Sequence, residues 1–361
     1  MKNIWIPAIL AMLGLTLSAM PVMAKDYLVA AAHPDQVVII DTEKFAVEKI
    51  LRVENSGATP IVPAISPDAK YVYVLANGSE SIVKIDMETG KNIARLDMST
   101  YDTRVKAVWG MALSPDGKTL AVYQNPVKKL LSEFQVQPTQ IAFYDADTFK
   151  LKFTAPAPRQ IVTLTFSTDG SKVYGMGRSL YVFNTQDGKQ VDELPIQAWS
   201  PENYFQSDLL NVWSQYETSN MIAAPFYTKR KDMEPDDPEA FRTGLFTFDL
   251  TTGKMTMKDV EATQTLYFSA TASPDHKRAY AVYNVLQSFD LENGGKPLKQ
   301  VPLPHTYYTA IVTPDNKTLW VGGGGGDFIA FDAETLEKKG EVQLPGNGSM
   351  SNNSVRMFST R

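Results

Sequence analysis

The chain has 361 residues, with 35 lysines and arginines against 40 aspartates and glutamates and a formal net charge of −5. A phosphate-binding surface needs a basic stripe, so this mixed and mildly acidic composition argues against nucleic acid as a partner. The absence of cysteine excludes disulfides, thiolate metal sites, a cysteine nucleophile and covalently attached c-type haem from this chain.

The first segment has the order of a secretory signal peptide. Lys2 gives a positive start, residues 4–17 are mostly apolar, and Val22-Met23-Ala24 offers small residues where a signal peptidase cleaves. The apolar stretch is too short and wrongly flanked for a stable membrane anchor. We therefore predict that residues 1–24 are a cleaved signal peptide, that residues 25–361 form one exported domain in the periplasm, and that the domain does not bind a membrane.

A repeat with two elements runs through the rest of the chain. The first element is a Ser-Pro-Asp-Gly turn, which starts at Ser66, Ser114, Ser167, Ser273 and Thr313, with a degenerate copy at Glu217-Thr218-Ser219-Asn220. The second element is an Asp-x-x-Thr-Gly hairpin, which starts at Asp41, Asp86, Asp145, Asn184, Asp249, Asp290 and Asp332. The second series gives seven copies of the repeat.

Both elements are turns between strands. Proline presets φ in a tight turn, aspartate bonds its own backbone, and glycine accepts a positive φ. The flanking runs, such as Tyr71–Val74 and Thr119–Tyr123, are short and rich in β-branched and aromatic residues, as strands require. Each copy then supplies four antiparallel strands, which is the composition of a propeller blade. We predict an all-β, seven-bladed β-propeller of four-stranded blades, and Tyr73–Asn77 loosely matches the Tyr-Val-x-Asn type of repeat.

The two ends of this domain complement each other. The first copy lacks an inner strand, whereas Ser354–Thr360 reads as a strand without a repeat of its own. We predict that this last strand completes the first blade and so removes two exposed sheet edges.

The long connections are all expected on one rim, opposite the short turns. They include residues 124–140, 195–210 and 229–243. Loops on a regular scaffold commonly carry function, although tolerated surface insertions are the alternative. Aromatic rings with a polar tip suit a pocket or an interface, but they also pack between blades. The candidates on this rim are Trp199, Tyr204, Phe205, Tyr267, Phe268, His305, Tyr307 and Tyr308.

The chain carries no self-contained catalytic set. His276 replaces glycine in a turn, and His33 and His305 have no paired carboxylate motif, so we predict no metal site. Gly322–Gly326 precede a strand rather than a helix, so they favour a mobile loop over a phosphate site.

Several stretches that blade geometry does not demand resemble the β subunit of quinohemoprotein amine dehydrogenase. They are Asp26–Ala30 with Val38–Lys44, Phe134–Thr139 with Tyr144–Ala146, Pro225–Thr228 with Arg242–Leu245, Val301–Tyr308, and Leu344–Asn347.

The resemblance implies a propeller subunit that binds no cofactor of its own and lacks catalytic residues. Its partners would be a large subunit with two c-type haems and a small subunit with cysteine tryptophylquinone. Such a complex oxidises primary amines to aldehyde and ammonia and passes electrons to azurin or a soluble cytochrome. This chain would dock the small subunit and help to wall the amine pocket.

Two other classes stay open on the sequence. One is a stand-alone periplasmic binding module. The other is a lactonase-type propeller hydrolase, which needs a metal or a His-carboxylate pair at the mouth of the channel.

Overall fold

A computed structural model describes residues 24–210, 215–350 and 355–360. The predicted signal peptide, apart from Ala24, lies outside these residues. Across the described part of the chain the secondary structure is thirty strands and one 3-10 turn, Pro345–Asn347. No helix in that part is long and apolar enough to cross a membrane.

The described strands form six antiparallel sheets, one of which has eight strands and joins two consecutive units. We number the units in chain order as blades 1 to 7, which is consistent with the predicted count. Blade 1 contains β1 Lys25–Ala32, β2 Gln36–Asp41 and β3 Ala46–Arg52. Blade 2 contains β4 Ile61–Ile65, β5 Tyr71–Ala76, β6 Ser81–Asp86 and β7 Asn92–Asp97. Blade 3 contains β8 Thr103–Lys106, β9 Met111–Leu113, β10 Thr119–Lys129, β11 Phe134–Val136, β12 Gln140–Asp145 and β13 Leu151–Pro156. Blade 4 contains β14 Thr163–Phe166, β15 Lys172–Met176, β16 Ser179–Asn184 and β17 Gln190–Pro195.

The second half of the chain supplies the remaining blades. Blade 5 contains β18 Asp208–Leu209, β19 Met221–Lys229, β20 Phe241–Asp249 and β21 Met255–Ala262. Blade 6 contains β22 Ser269–Ala272, β23 Arg278–Val282, β24 Val285–Asp290 and β25 Lys296–Pro302. Blade 7 contains β26 Thr309–Val312, β27 Thr318–Gly322, β28 Asp327–Asp332 and β29 Lys338–Gln343. The last strand is β30 Val355–Thr360.

The last strand completes the first blade, which confirms the predicted closure. Blade 1 has the order β3-β2-β1-β30, and the β1–β30 ladder runs from Lys25↔Thr360 to Ala30↔Val355. The inner strands also contact their neighbours around the ring, since β30 lies against both β4 and β26.

The repeated turns adopt the expected chemistry. In the first element, the Ser66 hydroxyl donates to Asp68 Oδ1 at 2.7 Å and accepts the Tyr71 N–H at 2.8 Å. In the second, Asp86 Oδ1 accepts the Thr89 N–H at 2.7 Å. Gly117 has a φ of 72°, the left-handed conformation that the first turn needs at this position. These bonds fix each hairpin locally.

Apolar clusters between adjacent blades form the core. All six residues of β2 are buried, and the cluster between blades 1 and 2 joins Val29 and Val37 to Val72 and Val74. Burial on both faces of each sheet explains why the middle strands read as apolar runs rather than as strict alternation.

Blade 5 departs from the four-stranded pattern within the described residues. The inner edge of β19 pairs directly with β22 of blade 6, through Ile222↔Thr271 and Ala223↔Ala270. Gln215 forms a parallel bridge with Thr271, and the degenerate repeat element follows it. Residues 211–214 lie outside the described residues.

Two long connections extend from the same rim. The blade 3 lobe comprises residues 100–106 and 125–137, where β8 and β11 pair with the extended end of β10. The blade 5 loop comprises residues 230–240, between β19 and β20. In blade 4, which lies between them, the corresponding loop is only Gly177 and Arg178.

Candidate functional site

The predicted site residues fall into three groups on the rim that carries the long connections, plus one tyrosine in the core. The first group lies in blade 7, where the connection from blade 6 meets the start of β28. His305 Nε2 lies 2.8 Å from Asp327 Oδ1, and the Tyr307 hydroxyl donates to Asp327 Oδ2 at 2.6 Å. The Tyr307 ring stacks on the imidazole of His305, with centroids 4.1 Å apart. One buried carboxylate therefore organises both predicted residues.

Each polar side-chain atom of this group has a hydrogen-bond partner. His305 Nδ1 lies 3.0 Å from the Thr306 carbonyl oxygen, so both imidazole nitrogens lie beside oxygen atoms. Burial and the hydrogen bond to Asp327 raise the pKa of the Tyr307 phenol, so it stays a neutral donor. These contacts fix the orientation of both rings.

Glycines bring the backbone close to this group. A Cβ on Gly325 would lie 2.9 Å from the His305 ring, and one on Gly324 would overlap the Thr306 carbonyl. Gly322–Gly326 end one strand and lead into the next, as expected. Their contacts give the run a packing role beside Asp327.

The second group is an aromatic cluster between blades 6 and 7. The ring centroid of Phe268 lies 4.4 Å from that of Tyr283 and 5.2 Å from that of Tyr308. All three side chains are partly exposed. The cluster therefore offers an aromatic surface on the rim.

Tyr267 instead belongs to the core. It is buried, its ring packs edge-on against Phe289, and its hydroxyl donates to Glu261 Oε1 at 3.1 Å. Burial raises the pKa of Glu261 above its ordinary value, although the Tyr267 hydroxyl works in the opposite direction. Packing between blades, the alternative given for each aromatic residue, describes Tyr267. It also describes Tyr307, which is fully buried in the apolar cluster between blades 6 and 7.

The third group lies at the base of the blade 5 loop. The Tyr204 hydroxyl donates to Asp259 Oδ2 at 2.7 Å, and Arg242 Nε donates to Asp259 Oδ1 at 2.9 Å. The hydrogen bond to this carboxylate raises the pKa of the Tyr204 phenol. Trp199 stacks edge-on against Phe226 and touches Tyr204. Phe205 is half exposed, with the Lys229 ammonium 6.0 Å from its ring centre.

The remaining histidines stand apart from these groups. The Thr59 hydroxyl lies 2.8 Å from His33 Nδ1, and the Ser219 carbonyl oxygen lies 2.6 Å from His276 Nε2. Across the described residues, no three His, Cys, Asp or Glu side chains come close enough together to hold a metal ion.

The sequence interpretation missed the residues that join these groups. Asp327 begins β28 directly after the glycines, Asp259 lies on an outer strand, and Tyr283 is the first residue of the two-residue loop between β23 and β24. A carboxylate at a strand start on the rim was the one available signal for Asp327. Asp259 carried no signal, because the bulge at Thr243/Gly244 that sets its register is visible only in the structure.

Comparisons with known proteins test the fold. No protein-family model matches the chain, and no curated protein matches it. Among solved structures, hydrazine synthase of Kuenenia stuttgartiensis superposes with a TM-score of 0.58 at 15% identity, covering 80% of this chain and 86% of that one. A protein of unknown function from Desulfotomaculum acetoxidans gives 0.57 at 14% identity, with coverages of 92% and 98%. Dihydro-heme d1 dehydrogenase gives 0.54 at 15% identity, with coverages of 92% and 74%.

At this level of identity the similarity concerns the fold alone. These neighbours are β-propeller proteins, and some belong to enzymes. The antiparallel units, their ring contacts and these superpositions together identify the chain as a β-propeller.

Proposed function

We propose that this chain is the cofactor-free propeller subunit of a periplasmic quinohemoprotein amine dehydrogenase. The observation that carries the proposal is the partly exposed cluster of Phe268, Tyr283 and Tyr308, which lies beside the organised His305–Asp327 pair. Residues 301–308, which contribute to both groups, also belong to the stretches that resemble that family. Aromatic side chains that are held in place by their neighbours form the type of surface on which a partner protein docks.

In this proposal the redox chemistry belongs to the partners. Cysteine tryptophylquinone in a small subunit oxidises the primary amine to aldehyde and ammonia, and two c-type haems in a large subunit pass electrons to azurin or a soluble cytochrome. This chain contributes a rigid wall: its aromatic rings exclude water, while Asp327 fixes the orientation of His305 and Tyr307. It supplies no catalytic base and binds no metal.

The hydrolase alternative needs a metal or a His-carboxylate pair, and His305 with Asp327 on the rim is such a pair. Among the described residues no three His, Cys, Asp or Glu side chains come close enough together to hold a metal ion, so a hydrolase would depend on this pair alone. The binding-module alternative differs from the proposal in its partners, so the test concerns them.

The test is a pull-down of the tagged chain from the periplasm of its own cells. We expect co-purification of a protein with haem absorbance and of a small protein that gives quinone staining. Purification of the chain alone, under low salt and after mild crosslinking, would contradict the proposal and favour a binding module. Bound metal together with lactone hydrolysis would favour the hydrolase.

Replacing the exposed aromatic rings should weaken the same complex. We expect Tyr308→Ala and Tyr283→Ala each to reduce retention of the small subunit about tenfold or to raise the KM for the amine, because one anchor ring is worth about 1–3 kcal/mol at an interface. Leu298→Ala, on the outer strand of blade 6, is the matched control and should change neither quantity. Wild-type assembly and kinetics in both tyrosine variants would show that the cluster does not touch the partner. Tyr307→Ala, which also empties a buried position, should additionally lower stability.

A further inference from the structure

The tip of the blade 3 lobe is unusually apolar for a projecting structure. Leu131 is fully exposed, Tyr101 is 99% exposed and Phe134 is 74% exposed. The turns that carry them are adjacent, because the Lys129 N–H donates to the Asp102 carbonyl and the Leu130 N–H donates to the Glu133 carbonyl. An exposed apolar group of this kind marks an interaction site on a soluble protein.

The body of this lobe is basic. Its cations are Arg104, Lys106, Lys128 and Lys129, against the carboxylates of Asp102 and Glu133. Arg104 pairs with Glu80 outside the lobe. Within the described part of the chain, the three lysines form no ion pair with a carboxylate. The Lys129 ammonium donates to the Thr100 carbonyl at 3.2 Å and keeps two further N–H donors for an external carboxylate.

In the blade 5 loop the positions of the apolar and charged residues are reversed, with charge at the tip and aromatic residues at the base. Its base combines aromatic rings and cations: Phe205 and Phe241 are both half exposed, and the Lys229 ammonium lies 6.0 Å and 5.8 Å from their ring centres. The Lys231 ammonium lies 5.7 Å from the Phe205 ring centre. Its tip is acidic, with Asp232, Glu234, Asp236, Asp237 and Glu239 on one short segment. Asp232 and Glu239 pair with arginines of the same region. Glu234, Asp236 and Asp237 form no ion pair with any described residue.

The two projections flank blade 4, whose own loop has only two residues. Two copies of the chain can face each other rim to rim, related by a half-turn about a radial axis through blade 4. This rotation places blade 3 of one copy opposite blade 5 of the other. The lobe of each copy then runs antiparallel to the loop of the other. The apolar tip meets the aromatic base, and the acidic tip meets the basic body. Because the operation is its own inverse, both contacts form together, as a closed isologous dimer requires.

We propose that this rim is a self-association surface, on which two copies of the chain interlock through the blade 3 lobe of one and the blade 5 loop of the other. The proposal goes beyond the function proposed above and does not depend on it, since it concerns a different sector of the rim and the purified chain alone.

Sedimentation velocity of the purified chain over a range of concentrations is the first measurement. We expect a monomer–dimer equilibrium that weakens as salt rises from 50 to about 500 mM, because exposed charge pairs are screened. Leu131→Ser with Phe134→Ser should weaken association about tenfold or more while the circular dichroism spectrum stays unchanged. A matched pair of exposed apolar positions away from the rim, Ile93→Ser with Leu151→Ser, should leave it unchanged.

Charge reversal gives a sharper test. The lobe variant Lys128→Glu/Lys129→Glu and the loop variant Asp236→Lys/Asp237→Lys should each associate with itself at least about tenfold more weakly than wild type. An equimolar mixture should recover wild-type affinity, because one contact in the mixed dimer is native and the other has both signs reversed. Failure of the mixture to associate would contradict the proposed pairing even if each variant alone is monomeric.

If a lipid surface or another protein binds this rim instead, the measurements give different results. A chain that stays monomeric at all salts overturns the proposal. If that monomer sediments with phosphatidylglycerol vesicles and the Leu131→Ser/Phe134→Ser variant does not, the lobe belongs to a lipid surface. If the monomer and its vesicle control are both negative and the same variant fails to retain the haem protein, the lobe belongs to that partner.

Discussion

At the scale of single residues, Asp327 shows how one buried carboxylate can organise a site. It accepts from the Tyr307 hydroxyl with one oxygen and bonds His305 with the other. The two interactions differ in burial, because Tyr307 is fully buried whereas the His305 side chain is 42% exposed. They should therefore differ in their contribution to the free energy of unfolding.

A double-mutant cycle measures the coupling between Asp327 and Tyr307, and a His305 variant measures the other interaction. Asp327→Ala should destabilise the protein by about 1–3 kcal/mol, because it leaves the buried Tyr307 hydroxyl without its acceptor. Tyr307→Phe should cost less, and the double variant should cost less than the sum of the two. His305→Ala, which removes a partly exposed pair, serves as the control and should cost less than about 1 kcal/mol. Urea unfolding measures all four values, and strict additivity of Asp327→Ala and Tyr307→Phe would contradict the coupling.

Prediction from sequence was weakest at this scale. The composition of the loops placed aromatic candidates on one rim, but it could not say which of two neighbouring tyrosines is buried. Both residues precede β26, where the Tyr307 N–H donates to the Tyr283 carbonyl and the Tyr308 N–H donates to the Gly322 carbonyl. Tyr307 is buried and Tyr308 is partly exposed. These backbone contacts, which join neighbouring blades, become visible only in the structure.

At the scale of the elements, the repeated turns carry a shared response to acid. The Ser167 hydroxyl and the Ser171 N–H lower the pKa of Asp169 to about 2. The equivalent carboxyl groups of Asp68 and Asp116 also have lowered pKa values, chiefly because of the hydroxyls of Ser66 and Ser114. A carboxyl group whose pKa is depressed by folding stabilises the folded state above its unfolded pKa, near 3.9. That stabilisation is lost as the pH falls through the folded value.

We therefore expect the unfolding midpoint to fall steeply between about pH 4 and pH 2. Asp169→Asn keeps a side chain that can bond the turn but removes its titration. Its midpoint should be lower than that of wild type at pH 6, and the difference should shrink toward pH 2. Thermal unfolding followed by circular dichroism at several pH values measures this. A constant difference at every pH would contradict the role of the ionised carboxylate. Glu48→Gln, on an exposed edge strand, is the control.

The sequence predicted strands and hairpins better than it predicted the positions of individual side chains. Turn residues recur at each blade because the same backbone conformation recurs, so they predicted the hairpins and the order of strands. Blade 5 could not be predicted in this way. Its degenerate turn at residues 217–220 gave the position of the blade, but direct pairing of β19 with β22 is a contact between two copies of the repeat and has no signal in the repeat itself.

At the scale of the whole molecule, one side chain of the closing strand reaches across the ring and contacts other blades. Arg356, on the last strand, donates from Nε to the Pro63 carbonyl at 2.9 Å and pairs with Glu217 Oε1 at 3.0 Å. Its Nη1 donates to Gln215 Oε1 at 3.0 Å. The closing strand is thereby tied to blade 2 and to the segment that precedes β19 in blade 5.

Deletion of residues 354–361 should lower the unfolding midpoint cooperatively, on the order of 10 °C, because burial of Val355 and Met357 alone is worth about 3–6 kcal/mol. Arg356→Met keeps the strand and removes only the crossing contacts, so we expect a smaller loss, which reflects the unpaired Glu217. Calorimetry of both variants distinguishes the two contributions. An unchanged midpoint in the deletion would contradict closure by this strand.

Because β30 completes blade 1, folding of the ring cannot be completed until β30 has been synthesised. Among the described residues, the inner edge of β1 pairs with β30, so β1 is synthesised before every other described strand and gains this neighbour after all of them. Until then the backbone N–H and C=O groups of that edge are open to other strands, which is the situation in which chains aggregate. We therefore expect chains that lack β30 to aggregate rather than to fold.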